Sequence, residues 1–303
     1  FTLADDMFQS NNGPSYAAHQ YLIAATTQVP GTTEFADDNP YFSNFQPVPI
    51  TSAWGCDDPP GTFLTLLNYP AGPDGVGPFP CVDPPTIADE VAAKGFSWRE
   101  YTPAIGTAGG SWSAFDAIRH IRYGPSWSNV VSPETTVLTD APKGNIANIT
   151  WVIPTGKNSD HPGNLSNTGP AWVGSVVNAI GESPDWSSTA IFILWDDWGG
   201  WFDHVSPPQL DEMGLGFRIP LLVVSPYAKH GYVSHVQHEH ASILHFAEEV
   251  FGVAALAAAD KRADDMLDCF DFTQKPAPYT PLAIGRTPQS FLHKPESSPP
   301  DNQ

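Results

Sequence analysis

The chain has 303 residues, with 33 acidic and 13 basic side chains and a net charge of −20. Its 41% hydrophobic and 12% aromatic content argues against intrinsic disorder, and a chain this long can bury a core without a metal or disulfide scaffold. No basic footprint exists for nucleic-acid phosphates or an anionic membrane surface, so neither is an expected partner.

No run approaches the roughly 18 apolar residues of a membrane span; the longest, 189–195 and 251–259, are of core length. The chain opens at Phe1 with no signal-type segment and reads as a mature or trimmed product, or a fragment. Near this end, turn residues Ser10-Asn11-Asn12-Gly13-Pro14 stop just before a helical pattern of Tyr16, His19/Gln20 and Ile23. That places Ser15 at a helix N-terminus, where free N–H groups and the helix dipole favour an ionised hydroxyl and a bound phosphate-like anion. Serine is also an ordinary N-cap, and on these residues alone capping carries more weight.

Residues 28–84 read as long proline-punctuated loops. Cys56 and Cys81 flank a Pro/Gly-rich excursion that a disulfide could close, although the spacing is equally compatible with reduced thiols. Cys269 is left over, and without a Cys-x-x-Cys pair a cysteine zinc site is not expected. Residues 86–94 predict a capped helix stopped by Gly95, 97–101 a strand, and the spacing of Trp112, Phe115, Ile118 and Ile121 a helix over 112–121.

Three short apolar runs, 149–153, 189–195 and 219–225, predict buried parallel strands. Helical stretches around 171–180 and 239–250 follow the first and third. The alternation predicts an α/β chain with a mostly parallel sheet covered by helices, one domain over 1–285 and a surface tail over 286–303.

In such sheets, sites gather at the carboxyl ends of strands. The second run ends in Asp196-Asp197-Trp198-Gly199-Gly200-Trp201-Phe202-Asp203-His204. Adjacent carboxylates there are costly unless compensated, as by a divalent cation with oxygen ligands. The competing reading is a solvated acidic turn whose tryptophans are core. After the first run, Asp160 could orient His161 as an acid/base or ligand, but alone the pair reads more simply as a turn. His240 opens the helix after the third run and could face the same pocket, whereas His238 and His245 read as surface and packing residues. Ser242 breaks any His-Glu-x-x-His, and no Gly-x-Ser-x-Gly, Gly-x-Gly-x-x-Gly or P-loop motif occurs. The sequons at Asn148 and Asn164 are at chance level.

Taken in order, several segments resemble the bacterial phosphoesterase family of non-haemolytic phospholipases C and related acid phosphatases. They are Met7-Phe8-Gln9-Ser10-Asn11 with Gly13-Pro14-Ser15, Ser97-Trp98-Arg99-Glu100-Tyr101, and Trp151-Val152-Ile153-Pro154 with Ser159-Asp160-His161-Pro162. The run from Trp195 to Val205 follows, with Phe217-Arg218-Ile219-Pro220, Val224-Ser225-Pro226-Tyr227-Ala228, Ser242-Ile243-Leu244 and Asp271-Phe272. The resemblance implies a three-layer alkaline-phosphatase-like sandwich and hydrolysis of phosphoric esters by a serine nucleophile through a phosphoseryl intermediate. It implies Ser15 as nucleophile, Asp196 and Asp197 with Ser15 as ligands of one divalent metal, His161 as donor to the leaving group, and His204 in the pocket. The second acid is commonly Glu in the family. The family's opening strand and Glu-Asn-Arg-Ser-Phe-Asp segment are not in these residues, and the expectation is that they lie upstream in a longer chain. The implied substrate is a phosphate ester or phospholipid, and the implied compartment is extracellular or periplasmic. An impaired homologue that binds a ligand without turnover is the alternative. A sulfatase-type activity ranks last, because no Cys-x-Pro-x-Arg signature is present.

Overall fold

The computed structural model describes residues 1–67, 75–163 and 168–292. The described strands are β1 (Thr2–Ala4), β2 (Met7–Phe8), β3 (Trp98–Tyr101), β4 (Val130–Val131), β5 (Ile149–Val152), β6 (Ile191–Leu194), β7 (Leu221–Val224), β8 (Tyr232–Ser234) and β9 (His238–Glu239). The helices are α1 (Ser15–Ala24), α2 (Ile87–Ala93), α3 (Arg119–Arg122), α4 (Val137–Asp140), α5 (Gly169–Gly181), α6 (His240–Phe251), α7 (Ala258–Arg262) and α8 (Gln289–Leu292). The Asn164 sequon lies outside the described residues.

Strands β4-β3-β5 form an all-parallel sheet. Because side chains alternate along a strand, Trp98, Ile149 and Trp151 pack on one side with Tyr21, Ile87, Phe115 and Leu244. Tyr101 and Val152 pack on the other with Leu138, Trp172 and Val176. This sheet is therefore a middle layer between α1, α2 and α6 on one face and α4 and α5 on the other.

The second sheet, β6-β7-β1-β8, is mixed, which corrects the expectation of parallel neighbours. Strand β7 runs antiparallel to both β6 and β1, and only β1 and β8 are parallel. The physical reason lies in residues 195–220, which contain no helix. Without a crossover element the chain returns beside β6 in the opposite sense. Leu221 and Val223 are buried against Phe246 and Phe270, while Leu222 and its register partner Leu3 are exposed. Strands β5 and β6 are half-buried along their lengths, where full burial was expected.

The expected helix over 112–121 is also replaced. Two 3₁₀ turns (Gly110–Trp112 and Ala114–Ala117) and the short α3 occupy that stretch. Backbone pairing decides the matter: the Val82 N–H donates to the Ala117 carbonyl at 2.8 Å and the Arg119 N–H to Val82 at 2.8 Å, so Ile118 stays extended. Phe115, Ile118 and Ile121 are nonetheless fully buried, as their spacing predicts. Helix α2 starts with a Thr86–Asp89 capping box and is followed by Gly95 at φ +87°, as the sequence predicts.

Cys56 and Cys81 are disulfide-bonded, and Cys269 is free and buried. The proline-rich end docks on α5. Asn178 accepts from the Tyr279 hydroxyl (2.6 Å) and the Leu282 N–H (2.7 Å), and Phe291 lies edge-on to Trp172.

Candidate active site

Pro14 holds the extended N-cap of α1, so Ser15 is the first helical residue and its hydroxyl is not spent on capping. Instead Ser15 Oγ donates to Asp197 Oδ2 at 2.8 Å, joining residues 182 positions apart. One turn further along α1, His19 Nε2 meets Asp196 Oδ2 at 3.1 Å. Residues four apart on a helix share a face, so two consecutive acids after β6 meet two successive turns of α1. The Ser15–His19 spacing is the signal in the sequence that marks His19, which its neighbours otherwise present only as part of a helical pattern.

Backbone contacts fix the acidic loop. The Gly199 N–H donates to Asp197 Oδ1 at 2.7 Å with φ +62°, a conformation that favours glycine. The Trp198 N–H donates to Gln9 Oε1 at 3.3 Å, and the Gln9 amide in turn donates to the Gly13 carbonyl. Gln9 thus ties the loop to the turn that precedes Ser15.

The electrostatics separate the two acids. Burial works against ionisation of Asp196, but the hydrogen bond and charge of His19, helped by Ser15, hold its carboxyl below the usual range. Burial and then the Asp196 charge push Asp197 upward. Burial opposes the His19 cation, and the Asp196 partner outweighs it, raising His19. Two further groups lie underneath. His240, wholly buried, donates from Nε2 to the Trp195 carbonyl at 3.4 Å, and burial lowers its pKa to about 4, so the ring is neutral. Glu100, 1% exposed on β3, accepts from the Ser113 hydroxyl and is pushed by burial up to about 7.

Ser15, Tyr16, His19, Trp54 and Trp112 line a crevice beside these groups that is too tight for a water molecule. His161 stacks on Trp112 with ring centroids 5.9 Å apart, and its Nδ1 donates to the Pro162 carbonyl at 3.0 Å. Among the described contacts Asp160 does not orient it: Asp160 lies against Gly169, at φ +58°. Pro162 also abuts Gly199, where an added Cβ would come 2.9 Å from Pro162 Cγ. The His161 loop therefore borders the acidic loop. His204 is exposed, and its described ring contact is with Phe202, outside the group around Ser15.

The loop's aromatics divide between the two readings offered for them. Trp198 packs on the core, whereas Trp201 and Phe202 are each 74% exposed. His238 is fully buried, with Nε2 at 3.0 Å from Ser234 Oγ, so it is a packing residue.

In kind, the donors fit a hard divalent cation: two carboxylates and a hydroxyl, with Asp197 raised by a neighbouring like charge. Among the described residues no trio of His, Cys, Asp or Glu is placed to hold a metal, so protein donors supply only part of a shell. What the arrangement can do is hold a hydroxyl at a helix N-terminus beside paired acids and an imidazole whose pKa is raised, a setting suited to a phosphoryl centre.

A family model described as the Phosphoesterase family matches residues 1–254, and the chain belongs to that family. It is similar to a non-hemolytic phospholipase C of Burkholderia pseudomallei, 28% identical over 293 residues, covering 73% of this chain and 42% of the relative. It is also similar to a non-hemolytic phospholipase C of Pseudomonas aeruginosa, 26% identical over 291 residues, covering 77% of this chain and 42% of the relative. A non-specific phospholipase C6 of Arabidopsis thaliana is 27% identical over 147 residues, covering 38% of this chain and 28% of that protein. The chain spans about two fifths of the length of the two bacterial relatives.

Proposed function

We propose that this chain carries the site of a phosphoric ester hydrolase of the phospholipase C or acid phosphatase type, acting through Ser15. The Ser15–Asp197 bond beside the His19–Asp196 pair carries this reading. Asp196, Asp197 and Ser15 would hold one divalent cation, which when bound would lower the hydroxyl pKa and screen phosphoryl oxygens.

In the reaction, Ser15 Oγ passes its proton to Asp197 Oδ2, its hydrogen-bond partner, and attacks phosphorus in line, while the first turn of α1 directs its N–H dipoles at the developing charge. The P–O bond to the alcohol breaks as His161 donates a proton to the leaving oxygen. Water then cleaves the phosphoseryl ester, releasing phosphate or a phosphomonoester and restoring Ser15. His19 keeps Asp196 ionised throughout. His204 is given no proton to move.

The α/β layering around β3 supports reading residues 1–285 as one alkaline-phosphatase-like catalytic domain, with 286–303 as its tail. The Cys56–Cys81 bond supports an oxidising, secreted or periplasmic compartment. Among the described residues no helix is long and apolar enough to cross a membrane.

Ligand binding without turnover is the second reading, since among the described residues the candidate donors are only two carboxylates and a hydroxyl. Hydrolysis of p-nitrophenyl phosphate and p-nitrophenyl phosphorylcholine, measured with metal content, separates the two. Turnover that falls at least about 10³-fold in Ser15→Ala, with the fold retained, supports the serine mechanism. Undiminished hydrolysis in that variant refutes it.

A further inference from the structure

We infer that the loop after the acidic pair, through Trp201 and Phe202, seats this protein on a lipid surface of zwitterionic headgroups. The inference rests on the phosphoric ester reading above and names the physical form of its substrate. Trp201 and Phe202 are consecutive and each 74% exposed, and Trp195 and Val205 on the same loop are also exposed. Exposed large aromatics are uncommon on a surface without a partner.

The aromatic knob is built. Phe202 stands edge-on to Phe217 at 5.6 Å and to His204 at 5.3 Å, and Phe217 is packed in turn by Trp198 at 5.0 Å. Gly199 and Gly200, both at positive φ, turn the chain outward between Asp197 and Trp201. The knob therefore projects a few residues from the acids that meet Ser15.

Charge decides which surface it suits. Asp203 on the loop is paired with Arg218 through bonds of 2.6 and 3.0 Å, and Asp5 and Asp6 lie near the same guanidinium, so no free cation offers itself to anionic lipid there. The chain as a whole carries −20, which repels anionic lipid but not a zwitterionic layer. Indole and phenyl rings settle at the headgroup level of such a layer, and indole faces also attract quaternary ammonium groups. Against this knob, a zwitterionic surface would bring its phosphoester beside Ser15.

The test is co-sedimentation of the full chain with sucrose-loaded phosphatidylcholine vesicles, and with vesicles holding a third phosphatidylglycerol. Trp201→Ala, Phe202→Ala and the double variant are compared with the parent, and circular dichroism checks the fold of each. The parent should partition onto phosphatidylcholine more strongly than onto the anionic vesicles. Each single variant should partition several-fold less, and the double variant roughly tenfold less or weaker. Hydrolysis of soluble p-nitrophenyl phosphate, which carries no quaternary ammonium group, should be unchanged in all three. No partitioning by the parent, or equal partitioning by the double variant, overturns the inference. So does a concentration-dependent dimer that the double variant abolishes, because the patch would then serve a second copy. Loss of soluble-ester hydrolysis in the parent would fault the catalytic reading, while vesicle partitioning would still judge the surface.

Discussion

Asp58 offers a sharp test of how burial governs this molecule. The residue is 6% exposed, and its carboxyl oxygens have no close hydrogen-bond partner, the nearby Thr62 hydroxyl offsetting burial only in part. The neighbouring Thr62 hydroxyl donates to the Pro59 carbonyl at 3.1 Å. Arg122 is engaged by Asp57 and Asp116 instead. Burial, and then the Asp116 charge, push Asp58 from 3.8 up to about 8. The folded protein therefore holds this proton where the unfolded chain has released it. A raised carboxyl pKa gives stability that is full below the unfolded value and falls as pH rises toward the folded one. Between pH 4.5 and pH 7 the loss is about 3 kcal/mol at 1.36 kcal/mol per pH unit. Asp58→Asn keeps the shape and removes the titration. Its buried amide brings a fixed cost of about 1–3 kcal/mol that does not vary with pH. The informative quantity is thus the change with pH of the Tm gap between variant and parent, followed by calorimetry. That gap should move in the variant's favour by roughly 6–12 °C from pH 4.5 to pH 7. A gap that stays constant across this range would mean that Asp58 is ionised in the fold, and the reasoning would fail.

Three further outcomes are expected. His19→Ala removes the cation beside Asp196; turnover should fall roughly 10–100-fold, and the acid limb of the pH–rate profile should move upward as Asp196 becomes easier to protonate. Gly199→Ala forces a side chain at φ +62° and 2.9 Å from Pro162 Cγ; a stability loss of about 1–2 kcal/mol in urea melts should accompany reduced turnover, and wild-type behaviour in both would show that the loop is slack. Reducing the Cys56–Cys81 bond, which spans 25 residues, should cost about 3 kcal/mol in a denaturant melt, and an unchanged midpoint would mean that the excursion is held by packing alone.

Local features of this chain were legible in the sequence because they rest on neighbouring residues. Thr86 and Asp89 cap α2 within one turn, and the apolar runs of β5, β6 and β7 are strands because β-branched and aromatic side chains suit a pleated, half-buried surface. Partner choice was not legible. Strand β7 pairs antiparallel with β6 because the long connection carries no helix, and residues 112–121 abandon a good helical pattern because Val82, some thirty residues earlier, takes their backbone bonds. Ser15 illustrates the same limit at the site. Its neighbours favour capping, and only the arrival of Asp197 on another element shows that its hydroxyl is engaged elsewhere.

The buried acids give the site a common physical cause. Asp58, Glu100 and Asp116 are pushed up to about 8, 7 and 7, in each case chiefly by burial. Asp116 and Asp58 both raise Tyr16, the residue next to Ser15, and Glu100 contributes to the raised His19. The face of α1 that bears Ser15 thus rests on carboxyl groups that are neutral in acid and charge as the medium becomes alkaline. Below about pH 6 these groups are protonated, while Asp196, held low by His19, keeps its charge. Above about pH 8 the same helix must carry buried negative charge, which opposes an anionic phosphoryl group and destabilises its support at once. Activity and stability should therefore decline together on the alkaline side, a coupling that follows from where β3, α1 and the 55–58 loop bury their acids.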